Sequence, residues 1–246
     1  IENYLKRKRE LFLPTGKDVF LISFPRSGST WLRVMLSEML YGMSGESLRS
    51  LDYFIPDMHQ TIYSDDVVPA DWHIFKYHSP YQRYPREVAP CKKVIYLMRD
   101  PRDVVLSHYK RHQQLQSYAH GFDCFLSDWL NERVFPCSWR THVHSWLPID
   151  VEAEYQICLI RYEDLIMDPK KVLRQVAKFL DLEPSDERIR KAIVAGDVNQ
   201  MRKKEAAGLR ADEEVSGHHL IGPAITGRWK DELTRAHLEL MSAHLG

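Results

Sequence analysis

Short apolar runs alternate along this chain with longer segments in which apolar residues recur every three or four positions. The short runs are rich in β-branched and aromatic residues, which predicts buried strands. These strands are predicted near residues 18–24, 72–77, 93–98 and 155–160. The longer segments, such as Trp31 to Leu40, have the periodicity of amphipathic helices. The pattern predicts an α/β fold, a mostly parallel, P-loop-like central sheet flanked by helices on both faces.

Polar residues that can bind anions or move protons directly follow these predicted strands. They are Arg26, His78, Arg99 and Tyr162. In open parallel sheets, ligands collect at the carboxyl ends of the strands. We therefore expect one edge of the sheet to gather all four side chains.

The segment between the first predicted strand and the following helix, residues 23–31, reads SFPRSGSTW. Gly28 allows backbone N–H groups to approach a phosphate, and the helix N-terminus adds partial positive charge. Arg26 adds a full charge. Hydroxyl donors are available at Ser27, Ser29 and Thr30. This turn has the composition of a phosphate-binding loop.

The loop departs from a nucleotide-binding P-loop, in which a Lys follows the last glycine. Here no Lys follows Gly28, the charge of Arg26 precedes the glycine, and Trp31 follows it. This arrangement resembles the 5′-phosphosulfate loop of the cytosolic-type sulfotransferases. Those enzymes use 3′-phosphoadenosine 5′-phosphosulfate (PAPS) and release 3′-phosphoadenosine 5′-phosphate (PAP).

Residues 93–109 read KVIYLMRDPRDVVLSHY, a strand followed by a helix. Asp100 suits the N-cap and Pro101 the first helical position. Arg99 and Ser107 resemble the 3′-phosphate ligands of the family, an Arg at the strand end and a Ser eight residues later. A guanidinium and a hydroxyl suit a phosphomonoester, and the 3′-phosphate distinguishes PAPS from ATP.

Residues 75–80, FKYHSP, resemble the catalytic Lys-Thr-His-x-Pro segment of the same family. The resemblance implies that His78 is the general base, since a neutral imidazole can accept a proton near neutral pH. Lys76 lies two residues earlier on an extended segment and so projects to the same side. It is expected to stabilise the transferring sulfuryl group together with Arg26.

Two further segments resemble the family near the end of the chain. Residues 159–165, LIRYEDL, place Tyr162 where the family has a Tyr at the adenine end of the nucleotide. Residues 227–230, GRWK, resemble its Gly-Asp-Trp-Lys element, so Gly227 and Arg228 are expected to bind the cofactor.

The nucleotide clamp nevertheless departs from the family pattern. The Arg-Lys-Gly that normally grips the 3′-phosphate falls on residues 222–224, GPA, which carry no charge. Val198 stands near the position of an adenine-stacking Phe. The candidates to replace the missing charge are Arg228, Arg202, Lys203 and Lys204.

The resemblance runs from about residue 18 to about 239, in the family's order, and we assign residues 1–246 to a single sulfotransferase domain. It implies direct in-line transfer of a sulfuryl group from PAPS, without a metal, to a hydroxyl or a nitrogen of a small polar acceptor. Two alternatives stay open: a P-loop nucleotide kinase, and a catalytically silent module that binds PAP.

Composition excludes some other classes of partner. The 34 basic residues balance 34 acidic ones, so no global field attracts nucleic acid or an anionic membrane. The chain has no run of about 18 apolar residues, and its four cysteines lack metal-ligand spacing. Reduced thiols favour a cytoplasmic location.

Lys230, Thr234 and Glu239 resemble the family's dimerisation motif with Arg235 in place of its Val, so a monomer or a homodimer is expected.

Three less regular stretches are expected to surround the site. Residues 44–71 mix aromatic and polar side chains and favour an acceptor loop, whereas residues 199–225 are rich in glycine and charge and predict a mobile flap. His142 and His144 lie on different sides of their predicted helix, which favours structural or substrate contacts over metal binding.

Overall fold

The computed structural model describes residues 11–43, 45–60, 62, 64–83, 92–147, 155–208 and 221–245. Its strands are β1 (Val19–Ser23), β2 (Ile74–Tyr77), β3 (Lys93–Met98) and β4 (Gln156–Arg161). They form one parallel sheet in the order β2-β1-β3-β4. The predicted α/β class, the parallel sheet and the four strands are confirmed, with strand ends within about two residues of the prediction.

Helices connect the strands, as the periodicity predicts. The first half of the chain forms α1 (Ser29–Tyr41), α2 (Leu51–Phe54), α3 (Pro101–Gln114), α4 (Phe122–Leu130) and α5 (Trp139–Trp146). The second half forms α6 (Tyr162–Met167), α7 (Pro169–Phe179), α8 (Asp186–Ala195), α9 (Val198–Gly208), α10 (Trp229–Glu232) and α11 (Arg235–Leu245). None of the helices in the described ranges is long and apolar enough to cross a bilayer.

The alternation of side chains along β1 separates two cores. Val19 and Leu21 pack on the face covered by α1, α7 and α8. Phe20 and Ile22 point to the opposite face, where Trp146 of α5 joins their cluster. Both faces of the sheet are therefore buried under helices, which explains why β1 is apolar at nearly every position.

A buried carboxylate, that of Asp18, directly precedes β1. Asp18 is 3% exposed and accepts hydrogen bonds from the backbone N–H groups of Thr15 and His73, each at 2.6 Å. This carboxylate satisfies backbone N–H groups of the segments that lead into β1 and β2. It thereby holds the start of β1 in place.

The first turn of α3 also anchors the C-terminal part of the chain. Asp100 caps the helix by accepting from the N–H of Arg102, and Pro101 takes the first helical position, as predicted. Asp103 is only 2% exposed and accepts from the N–H groups of Gly227 at 2.7 Å and Trp229 at 3.2 Å. Asp103, whose acidic side chain suits the first turn of a helix, therefore also holds the C-terminal segment in place.

The predicted flap at residues 199–225 differs from the structure in its first half. Residues 198–208 form α9, in which Met201 is buried beside Val34 and Leu51. This apolar contact explains why a charged segment forms a helix there. Residues 209–220 of the proposed flap lie outside the described residues.

Candidate active site

A cavity of about 1090 Å³ opens at the carboxyl ends of the strands. Most of the residues selected from the sequence line it: Arg26, Gly28, Ser29, Thr30, Trp31, Lys76, His78, Arg99, Ser107, Tyr162 and Arg228. One edge of the sheet therefore brings together residues that are far apart in sequence, as the strand pattern predicts.

Two of the selected residues lie outside this lining. Ser27 is fully buried, its N–H donates to the carbonyl of Phe24 at 3.2 Å, and its hydroxyl has no partner within the described structure. Gly227 donates its N–H to Asp103. Both residues shape the backbone around the cavity, and their contact with a cofactor stays a prediction.

The loop between β1 and α1 requires a glycine at position 28. Gly28 has φ 99°, outside the range that L side chains readily adopt. A Cβ added there would lie 2.6 Å from ring carbons of Tyr162. Arg26 also has a positive φ, 70°. The loop is thus held in an unusual conformation directly against an aromatic ring.

Tyr162, at the start of α6, packs against the loop between β1 and α1. The Arg99 guanidinium carbon lies 4.2 Å from the centre of the Tyr162 ring, and the rings of Trp31 and Tyr162 are 5.6 Å apart. The indole N–H of Trp31 donates to the carbonyl of Gly196 at 2.7 Å. Tyr162 therefore has a structural role, and its predicted contact with adenine stays a prediction.

Arginine side chains concentrate positive charge around Ser107. The Nε–H of Arg26 donates to the Ser107 hydroxyl at 3.2 Å, and Arg99 donates to the carbonyls of Arg26 at 3.2 Å and Ile225 at 3.1 Å. Burial, together with the neighbouring charges of Arg111 and Arg99, lowers the pKa of Arg26 to about 10. Arg26 remains charged at neutral pH, but this site is crowded with cations and favours anionic ligands.

His78 lies directly after β2, and its hydrogen bond to the main chain defines its tautomer. Its Nδ1 is 2.6 Å from the carbonyl oxygen of Ser23, which can only accept, so Nδ1 carries the proton. The other nitrogen, Nε2, then has a free lone pair. Burial, the charge of Lys76 and the nearby imidazoles of His59 and His142 hold the pKa of His78 well below its usual range, so the ring is neutral at pH 7.

Two further histidines hold the backbone of His78. The N–H of His78 donates to Nε2 of His59 at 3.1 Å, and Nε2 of His142 donates to the carbonyl of His78 at 3.1 Å. The hydroxyl of Tyr96 donates in turn to Nδ1 of His142 at 2.8 Å. His142 is thus a buried structural residue, in line with the sequence expectation, and it orients the candidate base.

Lys76 forms an ion pair that the sequence motifs do not identify. Its Nζ lies 2.5 Å from Oδ2 of Asp57, and both side chains are less than 15% exposed. Burial opposes ionisation of Asp57, yet Lys76 outweighs it and the pKa of Asp57 is lowered. Burial also lowers the pKa of Lys76, although Asp57 opposes this. Asp57 meets Lys76 through an isolated bridge between a loop and β2, which has no local sequence signature.

The segment that replaces the family's Arg-Lys-Gly lines the cavity without adding charge. Ala224 adopts φ 54°, a conformation that favours glycine. Arg202 and Arg228 line the cavity nearby, and Arg228 is paired with Glu232. Lys204 instead donates to the carbonyl of Gly45. Arg202 and Arg228 are therefore the better placed of the four sequence candidates.

Potential metal ligands do not cluster in the described ranges, where no group of three or more His, Cys, Asp or Glu side chains has a suitable arrangement. The absence of a metal from the reaction stays a prediction.

Comparison with known proteins gives a consistent picture. Residues 16–245 match the family model described as "Sulfotransferase domain". Human sulfotransferase 2A1 is 26% identical, with 96% of this chain and 85% of that protein covered, and the guinea pig (Cavia porcellus) 3-beta-hydroxysteroid sulfotransferase is 25% identical, with 96% and 84% covered.

Solved structures share the fold at lower identity. Mouse sulfotransferase SULT7A1 complexed with PAP matches with a TM-score of 0.72 and 22% identity, covering 94% of this chain and 84% of that one. A retinol dehydratase in complex with androsterone and inactive cofactor PAP matches with a TM-score of 0.73 and 17% identity, covering 94% and 80%. These likenesses confirm the predicted fold over 94% of this chain.

Proposed function

Since this chain belongs to the sulfotransferase domain family and is a PAPS-dependent enzyme of that family, we propose that it transfers the sulfuryl group of PAPS to a hydroxyl or nitrogen of a small-molecule acceptor, with His78 as the general base. The observation that carries the proposal is the tautomer of His78. A neutral ring with a free Nε2 lone pair lines the same cavity as Lys76 and a phosphate-binding loop.

The bond changes follow from this arrangement. The acceptor oxygen or nitrogen attacks sulfur, the bond between sulfur and the bridging phosphate oxygen breaks, and PAP leaves. The proton of the acceptor passes to Nε2 of His78. Because Nδ1 is already bonded to the Ser23 carbonyl, the resulting imidazolium keeps a partner for its other N–H.

Positive groups near the loop stabilise the charge that develops during transfer. Arg26 and the backbone N–H groups from Gly28 onward face the phosphosulfate, and Lys76 faces the sulfuryl oxygens. Arg99 and Ser107 take the 3′-phosphate, and Arg202 or Arg228 supplies charge in place of the missing clamp. Fixed donors in a partly buried cavity need no reorganisation during the reaction.

The acceptor class follows from the relatives only in outline. One is named for a 3-beta-hydroxysteroid and one structure contains androsterone, both small molecules. We propose a small-molecule acceptor here too, and a polar one because Asp52, Asp57 and Gln60 of the expected acceptor loop line the cavity. A cytoplasmic location, a monomer or homodimer, and a single domain over residues 1–246 belong to the same proposal.

The test is PAPS turnover by the wild type and by His78→Ala, measured as PAP release with a panel of small phenols and amines. We expect His78→Ala to lower kcat about 100-fold or more, since general base catalysis contributes roughly 10²- to 10⁴-fold. Its affinity for PAP should stay within a few-fold. His144→Ala is the matched control, because His144 is exposed on α5.

Two results would contradict the proposal. Normal turnover by His78→Ala removes the base assignment. Tight PAP binding by the wild type without turnover of any acceptor would instead indicate a silent PAP-binding module.

A further inference from the structure

One face of α3 continues into the cavity beyond Ser107. His108, Arg111 and His112 of α3 and Leu115 at its C-cap follow the helical spacing of three and four residues, and all of them line the cavity. The rings of His108 and His112 are 4.9 Å apart. This basic face is not part of any motif that identifies the family.

The basic face lines the same cavity as the candidate base His78. The ring of Phe24 contacts His108 at 5.9 Å and His142 at 5.6 Å, and His142 is bonded to the carbonyl of His78. The ring of Phe24 thus connects His108 to His142, the residue that holds the main chain of the candidate base. Arg99, a proposed ligand of the nucleotide, precedes α3. Each successive residue of the helix lies about 1.5 Å further from Arg99 along the helix axis.

Two arginines, Arg26 and Arg111, place positive charge beside this face. Arg111 is close enough to Arg26 to be the main neighbouring charge that lowers the pKa of Arg26. Three carboxylates line the cavity within the described residues. Asp57 is paired with Lys76, Asp52 is paired with Arg33, and Glu205 partly offsets the positive charges around Arg26. An anion bound beside Arg111 would relieve the repulsion between the two guanidinium groups.

His108 provides a second, independent indication of a ligand. It is only 6% exposed, it lines the cavity, and its Nδ1 has no hydrogen-bond partner within the described structure. Burial and the charges of His112 and Arg26 lower the pKa of His108 to about 3, so the ring is neutral. A buried neutral imidazole without a partner is costly unless a ligand completes its hydrogen bonds.

The anionic groups of PAPS already have ligands elsewhere in the cavity. The loop at Gly28 and Arg26 serve the phosphosulfate, and Arg99 with Ser107 serves the 3′-phosphate. We propose that the acceptor itself carries an anionic group, a carboxylate, phosphate or sulfate, that binds to Arg111, His108 and His112 while its hydroxyl or nitrogen faces His78. This inference rests on the proposed function.

The experiment compares three phenols that differ in the charge of their tail. They are 4-hydroxyphenylacetate, which is anionic, 2-(4-hydroxyphenyl)ethanol, which is neutral, and tyramine, which is cationic. Each is titrated calorimetrically into protein saturated with PAP, so that the result does not depend on turnover. We expect the wild type to bind the anionic phenol about tenfold or more tightly than the neutral one, as for a charged hydrogen bond, and tyramine most weakly.

Variants of Arg111 test whether this residue causes the preference. Arg111→Gln should lose the preference, Arg111→Lys should keep part of it, and Arg111→Glu should invert it in favour of tyramine. Arg190→Gln and Arg190→Glu are the controls, because Arg190 is 64% exposed on α8 and paired with Glu187. A purely structural role of Arg111 would not invert the order of the ligands.

Several results would overturn the inference. They are equal affinities for the three phenols, no binding of any of them, or a fall in PAP affinity in Arg111→Gln with the order of the phenols unchanged. The last result would assign Arg111 to the 3′-phosphate. Failure of the proposed function is distinguishable, because it appears as no binding of PAP in the first step or as PAP binding without turnover, whereas the preference among the phenols is measured by binding alone.

Discussion

The chemistry proposed for His78 depends on which ring nitrogen carries the proton. A motif identifies the residue, but the tautomer depends on a carbonyl at the end of a neighbouring strand, Ser23. The low pKa of His78 has a similar origin, because it reflects burial and the charge of Lys76. Both properties follow from the pairing of β1 with β2, which places Ser23 and His78 at the same edge.

The charge of Lys76 should be visible in the pH dependence of the reaction. The pKa of His78 is lowered, so His78 is neutral at pH 7 and kcat/KM falls only when the pH drops well below 6.5. In Lys76→Met one cause of the lowering is removed, the pKa rises, and the acidic limb of kcat/KM moves to higher pH. The pH profile measures this separately from the loss of rate.

Lys17→Met is the control for that profile, since Lys17 is exposed before β1. An acidic limb that stays at the same pH in Lys76→Met would contradict the coupling between Lys76 and His78.

The loop makes an equally specific demand at Gly28. In Gly28→Ala the positive φ and the contact of a Cβ with the Tyr162 ring should destabilise the protein by about 2 kcal/mol or more, and PAP binding should weaken. Urea unfolding measures the first effect and calorimetry the second.

Gly121→Ala is the matched substitution, since a Cβ there meets nothing within 4 Å. It should cost no more than about 0.5 kcal/mol, the loss of a glycine N-cap. Equal costs at the two positions would refute the conformational demand at Gly28.

At the scale of elements, α3 links the sheet, the cofactor side and the C-terminal segment. Its N-terminus follows Arg99, its first turn holds residues 227–229 through Asp103, and its cavity face carries Ser107. Movement of this helix would therefore disturb the proposed 3′-phosphate ligands, Arg99 and Ser107, together with the segment around residues 227–229.

The role of Asp103 can be tested directly. Asp103→Ala leaves the N–H groups of Gly227 and Trp229 without their acceptor, which should cost about 2 to 4 kcal/mol. Hydrogen exchange at residues 225–232 should accelerate. Asp103→Asn keeps one acceptor oxygen and should have an intermediate effect. Unchanged exchange in Asp103→Ala would show that the segment is held by other contacts.

At the scale of the whole molecule, the sequence predicts the features that follow from the periodicity of apolar residues and from the positions of the strand ends. The parallel sheet and the convergence of Arg26, His78 and Arg99 belong to this class, because parallel strands bring their carboxyl ends to one edge. The contacts between Asp57 and Lys76 and between Asp103 and Gly227 do not, because each joins a loop or helix to a distant segment without a local pattern.

Helix α9 is an element that the sequence pattern does not predict. Its residues are charged and have weak periodicity, and tertiary burial of Met201 decides its structure. Ser27 is a similar case, because its position in the loop suggests a ligand and its burial follows only from the fold.

The most direct test of the account is a calorimetric titration of the protein with PAP, with adenosine 5′-monophosphate, and with ATP and magnesium. We predict tight binding of PAP and at least about tenfold weaker binding of the monophosphate, since the 3′-phosphate contributes charged hydrogen bonds to Arg99 and Ser107. ATP with magnesium should bind weakly. Preference for ATP with magnesium, or equal affinity for PAP and the monophosphate, would contradict the assignment of the site.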